Sequence, residues 1–242
     1  MAVHLMLIIV VISAIQSMFG AGVSLLGTPL LLYFDHDFVD VLVLLLPISL
    51  TINLLQISQH HAHIDFGIYR KVVFLTLPPI VLFLFIVTHA RINIGLVIGP
   101  FLILIALKEF SERITGVLNY LMRYEILYFL SIGIVHGLSN LGGSLLTAYV
   151  HHKDLPKDVA RVTIAASYAT FASIQLLTLW VFNRDQIDVP VYDNLIYLIV
   201  ASMVFVFIDA AFYAHVQRDH YRRIFALFIA ASGLVLIAKA LA

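Results

Sequence analysis

The stretches FGAGVSLLGTP (Phe19–Pro29) and SNLGGSLLTAY (Ser139–Tyr149) decide how this chain is read. Each sets small, hydrogen-bonding or helix-breaking residues in the middle of a long apolar run. In a soluble protein that pattern marks a turn. Here it predicts backbone unwound inside a membrane, which is tolerated only where protein covers it or a wet cavity receives it. Two such breaks at matching places in two halves of a chain are a sequence pointer to a transport site.

The composition supports the membrane setting. Of 242 residues, 62% are hydrophobic and 12% charged, with a mean hydropathy of +1.03. Soluble domains are nearer half apolar and a quarter charged. No run alternates with period two, which excludes a membrane barrel and predicts an all-α polytopic protein. A formal net charge of zero leaves no basic footprint for nucleic acid, and the absence of cysteine excludes disulfides and thiolate metal sites. The first apolar run has no preceding Lys or Arg and no small-residue cleavage pattern, so it reads as a membrane segment rather than a signal peptide.

Eight apolar segments follow one another, at about 3–34, 38–58, 67–89, 92–108, 123–150, 158–182, 194–215 and 221–242, against the ~20 residues one crossing needs. The first and fifth are too long for one crossing, and both carry a break. Pro47, Pro78, Pro79 and Pro100 predict kinks in the first half. With Gly20 set against Asn140, Gly22 falls on Gly142, Ser24 on Ser144 and Gln16 on His136; one residue of slippage later Thr51 falls on Thr170 and Gln56 on Gln175. The shared order, a broken segment and then three plain ones, predicts two repeats, residues 1–110 and 123–242, joined by a hydrophilic loop at 111–122.

Charge predicts how the repeats sit. If all eight segments cross once, the Lys and Arg residues divide 7 against 7. If the first and fifth return to the side they came from, Arg91, Arg184 and Lys239 lie on one face and the other 11 basic residues on the opposite face. The positive-inside rule requires such an asymmetry. It therefore predicts inverted repeats with both chain ends outside. A re-entrant hairpin and a pair of short full crossings satisfy the count equally.

The motif residues carry a resemblance. Gly20-Ala21-Gly22-Val23-Ser24 with Pro29, and Leu138-Ser139-Asn140-Leu141-Gly142-Gly143-Ser144, resemble the two signatures of the sulfite exporter TauE/SafE family (4-toluene sulfonate uptake permease-like transporters). Val23 and Ser24 stand where glycines are usual, Asn140 and Ser144 replace others, and Tyr149 stands where a proline is common. The resemblance implies a secondary transporter in the cell membrane, the bacterial inner membrane. It would export a small sulfur-containing anion, sulfite or an organosulfonate, with no bound cofactor.

Candidate site residues follow from what an anion needs at membrane depth. Taking a bare ion into a dry interior costs on the order of 20 kcal/mol, and one helix N-terminus returns only about 0.3–2 kcal/mol. Several N–H groups, hydroxyls and waters must share the charge. Gly20, Gly22, Gly142 and Gly143 would let the backbone approach, Ser24 and Ser144 would donate hydroxyls, and Asn140 would donate its amide or cap a half-helix. Small residues at these places also suit close helix packing. Thr51, Asn53 and Gln56, and Thr170, Ser173 and Gln175, form polar stripes that would line the path or bond neighbouring helices. His136 and Asp209 are the candidates for proton coupling. His60, His61, His63 and Asp65 match no closed metal motif, so no metal site is expected. An anion or small-solute channel is the alternative to a carrier. An intramembrane hydrolase, with Ser24 as nucleophile and His136 or His215 as base, is disfavoured, because nothing marks a serine–histidine pair and the serine motif occurs twice, which a single nucleophile does not require.

Overall fold

A computed structural model describes residues 3–19, 23–59, 63–90, 92–187, 191–212 and 218–241. These residues form helices throughout: α1 Val3–Phe19, α2 Val23–Tyr33, α3 Phe38–Gln59, α4 Phe66–Lys71, α5 Leu77–His89, α6 Ile94–Lys108, α7 Glu112–Met122, α8 Glu125–Ser139, α9 Gly143–His152, α10 Lys157–Phe182, α11 Val191–Phe212 and α12 Arg218–Leu241. Among the described residues, three stretches are long and apolar enough to cross a bilayer singly, Phe38–Ser58, Phe66–His89 and Lys157–Phe182. The pair α6 and α7 makes a fourth if counted as one span, but it bends by 104°.

The two long broken segments are helical pairs that fold back on themselves. In the first, Gln16 Oε1 accepts from Val23 N at 3.2 Å, Ile12 lies against Gly27, and His4 stacks on Phe34. In the second, Gly142 lies against Ile132 and His136, Tyr128 Oη donates to Leu145 O at 2.9 Å, and Lys153 reaches Glu125 at 2.8 Å. Early residues of one helix thus meet late residues of the next, as in an antiparallel hairpin. The second turn is made at Asn140, whose φ of 62° is left-handed and whose N–H closes α8 onto His136 O at 2.8 Å. Asparagine takes that conformation more readily than other residues with a Cβ.

Three other sequence expectations meet particular local structure. Helix α3 runs on through Pro47 and α6 through Pro100. The change in backbone pattern falls instead in the third segment, as a π-helical turn at Val72–Thr76. Pro78 and Pro79 lie just beyond it, in the first turn of α5. They lack the N–H groups that would close onto Phe74 and Leu75, so the preceding turn widens. The stretch 111–122, expected as a loop, is the amphipathic helix α7, capped by Ser111 Oγ accepting from Ile114 N at 3.4 Å.

Two glycine crossings draw helices together. On α6, Gly95 and Gly99 face Leu236 O and Gly233 O of α12; an added Cβ would come within 2.8 and 2.9 Å of those carbonyls. On α8, Gly133 and Gly137 face Thr76 O and Ile80 O at 2.4 and 2.8 Å by the same measure. Without a hydrophobic drive inside lipid, such close backbone approach is a main source of helix association. One apolar core joins α1, α2, α3, α6, α11 and α12, and a second surrounds α8 and α9 with α4, α5 and α10.

Candidate functional site

The two hairpins meet between α3 and α10. Helix α9 starts at Gly143, three residues past Asn140, and the ring of Tyr168 lies against it: a Cβ there would sit 2.7 Å from the ring. Tyr168 Oη is held in turn by Thr147 Oγ1 at 2.7 Å. Asn140 Nδ2 donates to Thr28 Oγ1 at 3.2 Å, which ties the second hairpin to α2 of the first.

Between them lies a cavity of about 30 Å³, room for about two water-sized spheres. Its polar lining comes from both hairpins and both long helices: Gln16, Ser24, Ser49, His136, Asn140, Ser144, Tyr168 and Gln175, beside Gly143 and the apolar Leu25, Leu46, Leu141, Phe171 and Ala172. None of these lining residues is Lys, Arg, Asp or Glu. Helices α2 and α9 both begin at its wall, so the positive ends of two helix dipoles lie beside one hollow. Several N–H groups of those first turns already have partners: Val23 N bonds Gln16 Oε1, Ser144 N bonds Leu141 O and Leu145 N bonds Gly142 O.

The hydrogen bonds within the wall are partly complete. His136 Nε2 lies 3.0 Å from Gln175 Oε1, and the imidazole leans on Phe171 with ring centroids 4.6 Å apart. Ser144 Oγ donates to Leu141 O at 2.9 Å. His136 Nδ1, Asn140 Oδ1 and Gln175 Nε2 are buried and have no protein partner. Buried polar atoms of this kind are rare and are answered by a bound water, ion or ligand where one fits. The arrangement can take up a small polar solute by hydrogen bonds alone. Among the described lining residues no nucleophile is paired with a base.

Of the residues singled out by sequence, Ser24, Asn140, Gly143, Ser144, His136 and Gln175 line this cavity. Gly142 stands behind it, pressed on Ile132 O and His136, where a Cβ would come within 2.4 Å. Gly20 and Gly22 lie outside the described residues, as do His60, His61 and His215. Asn53 supports the wall from behind, donating to Ser49 O at 2.6 Å. Thr51 is half-buried and outside the lining. Thr170 bonds Tyr69 Oη at 2.9 Å, an interhelical contact, and Ser173 bonds Ala169 O within its own helix.

Asp209 and Gln56 belong elsewhere. Asp209 forms a buried ion pair with Arg161 of α10, both about nine-tenths covered. With its amide turned to present oxygen, Gln56 accepts from the same guanidinium, at 3.1 Å from Nη2. Asp65 caps α4 through Ile68 N at 2.9 Å, and its own N–H donates to Thr163 Oγ1. Among the described residues no group of three His, Asp or Glu side chains could hold a metal.

Sequence reasoning did not select Ser49, Tyr168 or Phe171. Gln16 carried a signal, its register with His136, and Ser49 carried another, its shared face with Asn53. Tyr168 carried none, because its role depends on Gly143 lying opposite.

A family model described as sulfite exporter TauE/SafE matches residues 5–236. No curated protein and no solved structure matches the chain.

Proposed function

The chain belongs to the sulfite exporter TauE/SafE family, membrane transporters of sulfur anions rather than enzymes, and from that premise we propose a secondary carrier that moves a small sulfur oxyanion outward by alternating access at the cavity between the hairpins. One observation carries this reading: neutral polar side chains from both hairpins, and the first residues of α2 and α9, line a single hollow. A full counter-charge would hold the ion too tightly to release. Shared N–H and hydroxyl donors hold it loosely, as a carrier needs. A hollow of about 30 Å³ suits a carrier's binding site more than a standing pore.

Alternating access would follow from two inverted repeats, residues 1–110 and 123–242, with α7 between them. The packing supports this. Helix α5 packs on α8 and α10, while α11 packs on α1 and α3; α3 faces α10, and α6 faces α12. Exchanging the two halves reproduces that set of contacts. The chain also ends both hairpins with a left-handed aspartate, Asp35 and Asp154, 119 positions apart. With each hairpin returning to its own side, most basic residues gather at one end of the bundle, which the positive-inside rule makes cytoplasmic, with both termini outside. His136 is the proton-coupling candidate in the cavity wall. Asp209 is less suited, since it lies outside the cavity lining, in an ion pair with Arg161.

The test is flux of labelled sulfite in proteoliposomes, with and without a pH gradient. Saturable flux driven by an opposing gradient is expected, and Ser144→Leu, which fills the hollow, should abolish it while the protein stays folded. Conductance at channel rates, or unchanged flux in the variant, would defeat the reading.

A further inference from the structure

The cavity holds more unanswered acceptors than a site for a bare anion requires. Asn140 is the clearer case. Its Nδ2 is committed to Thr28 Oγ1 at 3.2 Å, so its remaining atom, Oδ1, is an acceptor, and it is buried without a protein partner. His136 is the second. Gln175 Oε1 is an acceptor, so His136 Nε2 carries the proton in the 3.0 Å contact between them. In the neutral imidazole Nδ1 is then a lone pair, also buried without a partner. Gln175 Nε2, with its two protons, is the one unpartnered donor of the three. All three residues line the same hollow.

A fully deprotonated anion presents only acceptors. It would satisfy Gln175 Nε2 and leave Asn140 Oδ1 and His136 Nδ1 unanswered. An acid anion that keeps one O–H answers both needs, with its oxygens toward the donors and its hydroxyl toward an acceptor. A site built to bond a hydroxyl rejects the analogue that lacks it far more strongly than an apolar pocket distinguishes sizes, because the buried partners are left unpaired.

We propose that this cavity selects a protonated oxyanion, one bearing an O–H, and so favours hydrogensulfite in its O–H form over sulfonates of the same charge. The inference rests on the anion-carrier reading above. Asn140 Oδ1 and His136 Nδ1 are the specificity-determining acceptors. Each hydroxyl carried across takes its proton with it, so net transfer of sulfite is accompanied by acid without titration of any protein group.

Competition separates the possibilities. Labelled sulfite flux is measured in proteoliposomes of the full chain at several pH values, against unlabelled sulfite and against methanesulfonate, an anion of the same charge that carries a methyl group and three acceptor oxygens but no hydroxyl. Flux should track the hydrogensulfite fraction, and methanesulfonate should compete on the order of 10- to 100-fold less well. In Asn140→Leu and, separately, His136→Phe that gap should narrow, as each loses an acceptor. Methanesulfonate competing equally at every pH would overturn the selection while leaving an anion carrier in place. Absence of any sulfite flux would remove both. Because the wild-type comparison stands alone, a variant that fails to fold does not decide the matter.

Discussion

The two hairpins are built on one plan and differ at the residues that matter. In the first, Ser13, Gln16 and Ser17 of α1 occupy the places that Gly133, His136 and Gly137 hold in α8, each 120 positions on. Helix α1 packs on α11 with serines at two of those places, and Ser17 Oγ donates to Phe205 O at 3.2 Å. Helix α8 packs on α5 backbone to backbone, with no room for a Cβ at Gly133. The glycine crossing carries His136 and leads into Asn140, two of the three cavity residues with an unanswered polar atom. The serine crossing carries Gln16, whose oxygen is occupied by Val23 N.

Replacement at the tight crossing should separate the halves most sharply. Gly133→Val drives a side chain into Thr76 O, a backbone atom that cannot rotate away, so the ~1–3 kcal/mol of ordinary overpacking is a lower bound. We expect no folded protein on size-exclusion in detergent. At the matching place Ser13→Ala removes a buried hydroxyl that has no partner. It should leave the melting point unchanged or slightly higher. Equal damage at both positions would refute the difference between the crossings.

Gln56 and Gln175, also matched in register, divide in another way. The second bonds His136 in the cavity wall and the first meets the Arg161–Asp209 pair. Asp209→Ala strands a buried guanidinium and should cost about 3–5 kcal/mol, read as a fall in thermal stability. Replacing both partners with apolar residues of similar volume should recover most of that loss. If flux returns along with stability, the pair is structural and has no part in transport.

Exchanging the central residues is a finer probe. His136→Gln makes the second hairpin resemble the first and should lower sulfite flux about tenfold or more, the equivalent of one hydrogen bond to a charged group. Gln16→His should cost less, because its carboxamide serves a helix end and not the open side of the wall. The smallest effect belongs to Ser17→Ala, about 0.6 kcal/mol for one interhelical hydrogen bond in a membrane protein, measured by unfolding in mixed micelles.

Much of the site was legible before any coordinates. The clash between an apolar run and its Gly, Ser and Asn residues marked both turns, and matching registers brought Ser24, Ser144, Asn140 and Gln175 forward together. The polar stripes were legible as stripes, but their destinations were not. Helical period tells which residues share a face and is silent on which neighbour that face meets. So Thr170 finds Tyr69, Gln56 finds Arg161, and of the two stripes only Gln175, with the adjoining Ser49, reaches the hollow. Helix α7 escaped because a short polar stretch between two apolar segments has the composition of a loop, and its cap at Ser111 carried little weight beside that.

Hydropathy and the placement of helix-breaking residues, both local properties of the chain, determined by themselves that this protein is a helical membrane protein with two interrupted segments. Tertiary structure alone decided which of the polar side chains became a cavity, because burial of a polar atom and the lack of a partner for it are relations between distant residues. Asn140 illustrates both. Its amide type and its neighbours placed it at a turn, but only the approach of Thr28, 112 residues away, left its oxygen facing the hollow alone.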